Sequence, residues 1–170
     1  MAEAEEILRE PTRTSHEATP PRRYVYLAGP VELEDTWRDR AAKSLAKMGL
    51  EPVDPLRGQS HKTVANQTSK HIKASVPDSL LVMRDLNDMQ RIKNSAGFVL
   101  MNLSTTAEGR KPIGTLFELN WCWTNRVPVI AVMGRECDPS YKHHPWIKEM
   151  VSYEATSVTD ALNLIEDYFV

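Results

Sequence analysis

Apolar residues in this chain fall into short unbroken runs, separated by stretches where they recur every three or four positions. Tyr24-Val-Tyr-Leu-Ala28, Gly97-Phe-Val-Leu-Met-Asn-Leu103 and Pro128-Val-Ile-Ala-Val-Met133 are the unbroken runs. Their length and their β-branched and aromatic content predict buried strands. Glu51 to Pro55 predicts a weaker strand, confined to a sheet edge by its prolines, and Glu149 to Ala155 a last one. Helical spacing fills the intervals. Trp37, Ala41, Leu45 and Met48 repeat up to Gly49, after a capping-box pattern at Thr36-Trp-Arg-Asp39. Pro77 opens a second helix with Leu80, Leu81, Met83, Leu86, Met89 and Ile92 on its apolar side. A third helix runs from Gly114 to near Arg126. Ser157-Val-Thr-Asp160 caps a fourth, whose stripe is Ala161, Leu164, Ile165 and Tyr168.

Strands and helices therefore alternate, which predicts right-handed βαβ crossovers and a parallel sheet of about five strands covered on both faces. Residues 23–170 form one such domain. Residues 1–22 are rich in Glu, Arg, Thr and Pro, with Ile7 and Leu8 as their large branched side chains, and predict a flexible tail. Leu56 to Ala74 reads as a polar surface or substrate-covering loop.

Composition narrows the function classes. Lys plus Arg number 21 against 23 Asp plus Glu, so the basic excess expected of a duplex nucleic-acid binder is absent. Cys122 and Cys137 form no C-x-x-C or Cys/His cluster, which argues for a reducing compartment and against structural zinc. The longest apolar runs are too short to span a bilayer, and no signal-peptide core follows Met1. A cytoplasmic protein is expected.

In an open parallel sheet, ligands bind outside the carboxyl ends of the strands, near the switch in strand order. Ala28-Gly29-Pro30, the polar loop 104–113 and Gly114 to Glu118 all fall there. A Gly114-Thr115 pair opening a helix leaves backbone N–H groups free and lets a ligand approach closely, and the helix dipole favours an anion nearby. Glu118, one turn in, is expected to be held ionised, as suits nucleophilic attack on a sugar carbon. By itself that carboxylate could equally do no more than complement the helix N-terminus. Asp85, in Val82-Met-Arg-Asp-Leu86, is a candidate second acid, with Asp88 as its rival. His143 and His144 suit a capping or interface role, and His61 and His71 lie in the polar region.

Taken together, Tyr26-Leu-Ala-Gly-Pro30, Trp37-Arg38, Arg84-Asp-Leu86, Val99 to Leu103, Ile113-Gly-Thr-Leu-Phe-Glu-Leu119, Pro128 to Val132, His144-Pro145 and Asp160-Ala-Leu162 resemble the nucleoside 2-deoxyribosyltransferase family, in the same order, over roughly residues 24–169. The most specific part is the ordered pairing of Tyr-Leu-Ala-Gly-Pro with Gly-Thr-x-x-Glu. The resemblance implies that Glu118 forms a covalent glycosyl-enzyme intermediate and that Asp85 binds or protonates the departing base. It places Tyr26, Ala28, Gly29 and Pro30 at the sugar pocket, and Gly114 and Thr115 beside the nucleophile. Related N-glycosidases hydrolyse nucleoside monophosphates, and by that likeness Arg38 is the candidate phosphate contact. The chain departs from the family pattern at Asn94, Ser95 and Gly97, where an aspartate is frequent, and at Asn120 and Cys122, where small residues are. Trp121 and Trp123 flank those last positions.

The expected fold is therefore a flavodoxin-like three-layer α/β domain, acting on the N-glycosidic bond of a nucleoside or nucleotide with no metal or organic cofactor. Hydrolysis of a nucleoside 5′-monophosphate or of a nicotinamide glycosidic bond is the alternative reaction, and a non-catalytic nucleotide-binding module the alternative class. A homodimer or higher homo-oligomer is expected, because Trp121, Trp123 and Trp146 exceed the needs of one small core.

Overall fold

The computed structural model of the chain describes residues 22–30, 37–57, 78–104, 113–135 and 137–170. Its centre is built from the apolar runs. Strand β1 (Tyr24–Ala28) lies between β2 (Glu51–Val53) and β3 (Phe98–Asn102), and β4 (Val129–Val132) and β5 (Tyr153–Ala155) continue the sheet. All pairings are parallel and the order is β2-β1-β3-β4-β5. This is a flavodoxin-like α/β fold, with its switch point between β1 and β3. Tyr26 stands opposite both Val53 and Val99, so its side chain rises from the middle of the sheet.

Period-two alternation sorts the strands onto two faces. Val25, Leu27, Phe98, Leu100, Ile130 and Val132 face α1 (Trp37–Lys47) and α6 (Val158–Phe169) through Trp37, Ala41, Leu45, Ala161 and Ile165. Tyr26, Ala28, Val99, Met101, Val129 and Ala131 face the other layer. There they meet Met89 and Ile92 of α2 (Asp78–Asn94), Leu119 and Cys122 of α3 (Ile113–Asn125) and Ile147 of α5 (Pro145–Met150). Each fully buried Leu or Ile contributes roughly 2 kcal/mol. Gly49, at φ 78°, ends the first helical segment in the left-handed conformation that glycine adopts freely. At α6, Ser157 Oγ accepts from Asp160 N at 3.0 Å, and Asp160 reaches back to Thr156 N at 2.7 Å.

Several expectations are corrected. Only Met89 and Ile92 of the predicted α2 stripe are buried, while Leu80, Met83 and Leu86 are exposed, because no described element lies over the amino-terminal half of the helix. Tyr168 is likewise exposed. Residues 149 and 150 belong to α5, and the last strand starts only at Tyr153. The helices α4 (Pro139–Lys142) and α5 were not foreseen, although each has Pro at its start and Asp138 caps the first, accepting from Ser140 N at 2.8 Å. His143 and His144 sit at the cap positions of these helices, His144 without a side-chain cap bond. The proposed tail up to residue 21, Thr36, the polar loop from residue 58, His61, His71, Pro77 and residues 105–112 lie outside the described residues. Among the described residues no helix is long and apolar enough to cross a membrane.

Candidate active site

At the end of β1 the chain turns at Gly29, whose φ of 154° is one that L side chains rarely adopt. A Cβ there would lie 3.0 Å from both the carbonyl oxygen of Asn102 and Cζ2 of Trp37. Glycine is thus what lets the ends of β1 and β3 close on each other. Arg38, second residue of α1, holds this turn from below. Its Nη2 donates to Gly29 O at 2.6 Å, Nη1 to Pro30 O at 2.9 Å and Nε to Leu27 O at 3.5 Å. The guanidinium also stacks 4.6 Å over the Trp37 ring and is 1% exposed. Nε lies 3.8 Å from Asp54 Oδ1. Three of the five guanidinium N–H groups are thus spent on backbone carbonyls, which gives Arg38 a part in holding the turn.

Glu118 enters from the second turn of α3. Thr115, Leu119 and Cys122 form the buried side of that helix, which sets Glu118 at the border between core and crevice. The Tyr26 hydroxyl, raised from mid-strand, donates to Glu118 Oε1 at 2.8 Å. Burial pushes the Glu118 carboxyl up to about 7, the Tyr26 bond opposes this, the Asp85 charge adds to it and the Arg38 charge opposes it. The expectation that the helix N-terminus holds Glu118 ionised is thus corrected. Glu118 lies beyond the first turn, where the dipole has faded, and desolvation dominates. Tyr26 itself is pushed well above the ordinary phenol range by burial and then by Glu118, so it keeps its proton and donates. Burial also lifts the Cys122 thiol to about 12, leaving it an inert apolar side chain.

The third approach is α2. Asp85 is half-buried, and its Oδ1, with no hydrogen-bond partner among the described residues, lies 3.6 Å from Arg84 Nε. Burial raises its pKa, the Arg84 cation opposes the rise and the Asp88 carboxylate adds to it. Asp88, one turn on, is buried and paired with Arg57, whose Nη2 donates to Oδ1 at 2.8 Å, while Oδ2 lies 2.6 Å from Nη1 with no hydrogen-bond partner among the described residues. The two aspartates, indistinguishable by spacing, are thus separated by their partners.

Tyr26, Gly29, Pro30, Arg38, Glu118 and Asp85 accordingly converge where β1, β3, α2 and α3 meet. Ala28 is buried at the strand end opposite Met101. Thr115 is buried one turn before Glu118, and a Cβ added to Gly114 would meet no described atom within 4 Å, so the helix start is open to a ligand. Sequence reasoning missed Asn102 and Arg57. The signal for Asn102 was a polar residue closing an otherwise apolar central strand. It is buried against Gly29, its Oδ1 accepting from Ser104 N at 3.0 Å. Arg38, Asp88, Asn102 and Thr115 are the buried polar residues among the described ones, and all four belong to this end of the sheet or its flanking helices. No group of three His, Cys, Asp or Glu side chains among the described residues is placed to hold a metal ion. No model of a known protein family matches the chain, and no curated protein matches it either.

Proposed function

We propose that this chain cleaves or transfers the N-glycosidic bond of a nucleoside or nucleotide, with Glu118 as nucleophile. The observation that carries the reading is the 2.8 Å bond from Tyr26 to Glu118 at the switch point of the sheet. A carboxylate oriented through one oxygen is poised to attack with the other, and the Tyr26 hydroxyl favours its ionised form against the cost of burial. Attack at the anomeric carbon forms a glycosyl ester as the carbon–nitrogen bond breaks, through an oxocarbenium-like transition state that the fixed negative charge stabilises. Asp85 supplies the proton taken by the departing base. Asp88 is set apart from that role by its ion pair with Arg57, whose Nη2 donates to Oδ1 at 2.8 Å. Water or a second base then attacks the ester, giving hydrolysis or transfer.

The sugar lies against the Ala28-Gly29-Pro30 turn, and Gly114 and Thr115 leave room on the other side. Buried free thiols at Cys122 and Cys137 suit the reducing cytoplasm. A homodimer is the assembly we favour, because Leu80, Val82, Met83 and Leu86 on α2, Ile113, Phe117 and Trp123 on α3 and Trp146 are all exposed.

The deciding experiment incubates the protein with deoxynucleosides and deoxynucleotides, with and without an acceptor base, and separates the products. Free base from the wild type and none from Glu118→Gln is the expected result. Equal turnover by Glu118→Gln overturns the mechanism, and exchange only with acceptor present assigns transfer over hydrolysis.

A further inference from the structure

The turn after β2 is built to reach sideways. Asp54 accepts from Leu56 N through Oδ1 at 2.8 Å and from Arg57 N through its carbonyl at 3.1 Å, while Pro55 fixes the backbone between them. So folded, the turn aims Arg57 at α2. Nη1 lies 2.6 Å from Asp88 Oδ2 and Nη2 donates to Asp88 Oδ1 at 2.8 Å, while Nη1 also donates to Asp54 O at 3.0 Å. From α2, Arg84 Nη2 donates back to the carbonyl of Pro55. Two arginines thus clasp turn and helix in opposite directions. Arg84 and Asp88, one turn apart on α2, bracket Asp85.

A bland reading is available: the clasp secures a three-residue edge strand. Two observations exceed it. An ion pair with one partner in water contributes little net stability, yet here the Asp88 carboxylate is taken almost fully out of water while the Arg57 side chain stays nearly half exposed. Among the described residues, the stretch of α2 that carries Asp85 has little apolar anchoring, with Leu80, Val82, Met83 and Leu86 exposed, Leu81 partly buried and full burial beginning at Asp88 and Met89. Among the described residues, polar contacts across the clasp tie that stretch to the β2 turn.

We propose that Arg57 and Asp88 are positioning residues for Asp85, fixing where its carboxyl stands and which charges it faces. The proposal deepens the glycosidic reading, on which the role of Asp85 rests. Asp85 is faced by Arg84 and Asp88 from its own helix, by Arg57 from the β2 turn, by Glu118 from α3 and by Tyr26 from β1. Asp88 favours its neutral form and Arg57 its ionised form, so the intact pair leaves the two influences opposed. Breaking the pair from either end must therefore move Asp85 in opposite directions.

The test follows the Asp85 carboxyl by carbon NMR in Asp-labelled full-length protein, with Asp85→Asn to assign the signal, alongside the pH dependence of base release. In Arg57→Met the Asp85 midpoint and the alkaline limb of activity rise, and in Asp88→Asn they fall, each by about half a pH unit or more. The double variant returns to near the wild-type midpoint, because both charges are gone. Should Arg57→Met fail to fold, Arg57→Lys keeps the charge but loses the fork. It is expected to lower kcat several-fold with the midpoint unmoved, and an unchanged kcat overturns the positioning role. Single variants that leave the midpoint in place, or move it the same way, likewise overturn the proposal. Opposite movements in a protein that releases no base uphold the clasp and discard the glycosidic reading.

Discussion

On the proposed mechanism Glu118 carries two opposing demands, since it must be ionised to attack and its surroundings resist ionisation. Activity is therefore expected to rise with pH through about 7, the value to which burial lifts this carboxyl. Tyr26→Phe removes the bond that favours the ionised form, so its acid limb is expected at higher pH, as a pH–rate profile would read. The same burial makes a stability statement. The unfolded Glu118 ionises near 4.5 and the folded one near 7, so stability is unaffected below the first value, falls between the two and stays reduced above the second. Glu118→Gln is accordingly expected to be more stable than wild type at pH 8, by an amount on the order of 3 kcal/mol, and to match wild type at pH 4. Identical gaps at both pH values would contradict this account. At Gly29, alanine brings backbone strain and a close contact with the Asn102 carbonyl, and should cost about 1–3 kcal/mol in thermal unfolding. Gly29 and Glu118 were legible as residues because each sits at a strand end or helix start where its type has a chemical reason. Arg57 was not, because its partner is 31 positions away and nothing in local spacing joins them.

Elements defined by a single strong pattern came through the sequence with little change. β1, β3 and β4 are apolar on both faces because both are covered, and the final helix starts where Ser157 caps it. Ser157→Ala should cost about 1 kcal/mol, read as a lower midpoint in denaturant with unchanged slope. α2 shows where such reading stops. Its periodicity reports which side is apolar, and periodicity does not say whether another layer lies over that side, so Leu80, Met83 and Leu86 passed for core. The short helices α4 and α5 were hidden for the opposite reason. Four and six residues hold too few repeats to register, and only Asp138-Pro139 and Pro145 mark their starts.

At the scale of the whole molecule, most of the exposed large apolar residues among the described ones gather on helices of the layer opposite α1 and α6, with Tyr153, Tyr168 and Val170 elsewhere. A homodimer through that layer should appear as a doubled mass in sedimentation at micromolar concentration, and Phe117→Glu together with Met83→Glu should return it to the monomer mass. A wild-type protein that sediments as a monomer at every concentration rules the dimer out. At the other layer, Arg23 Nη1 donates to the carbonyl of Phe169 at 2.7 Å, and the Phe169 ring packs against Phe98, tilted by 41° with ring centroids 4.8 Å apart. The backbone entering the first strand and the backbone leaving the last helix are thus neighbours across 146 positions of sequence. A circular permutant that joins Val170 to Arg22 through a few glycines and opens instead at exposed Gly49 needs no strand to move. Cutting the unpermuted chain at the same glycine separates β1 from the other four strands, so neither fragment keeps a complete sheet and their reassembly would report on proximity of whatever is fused to them.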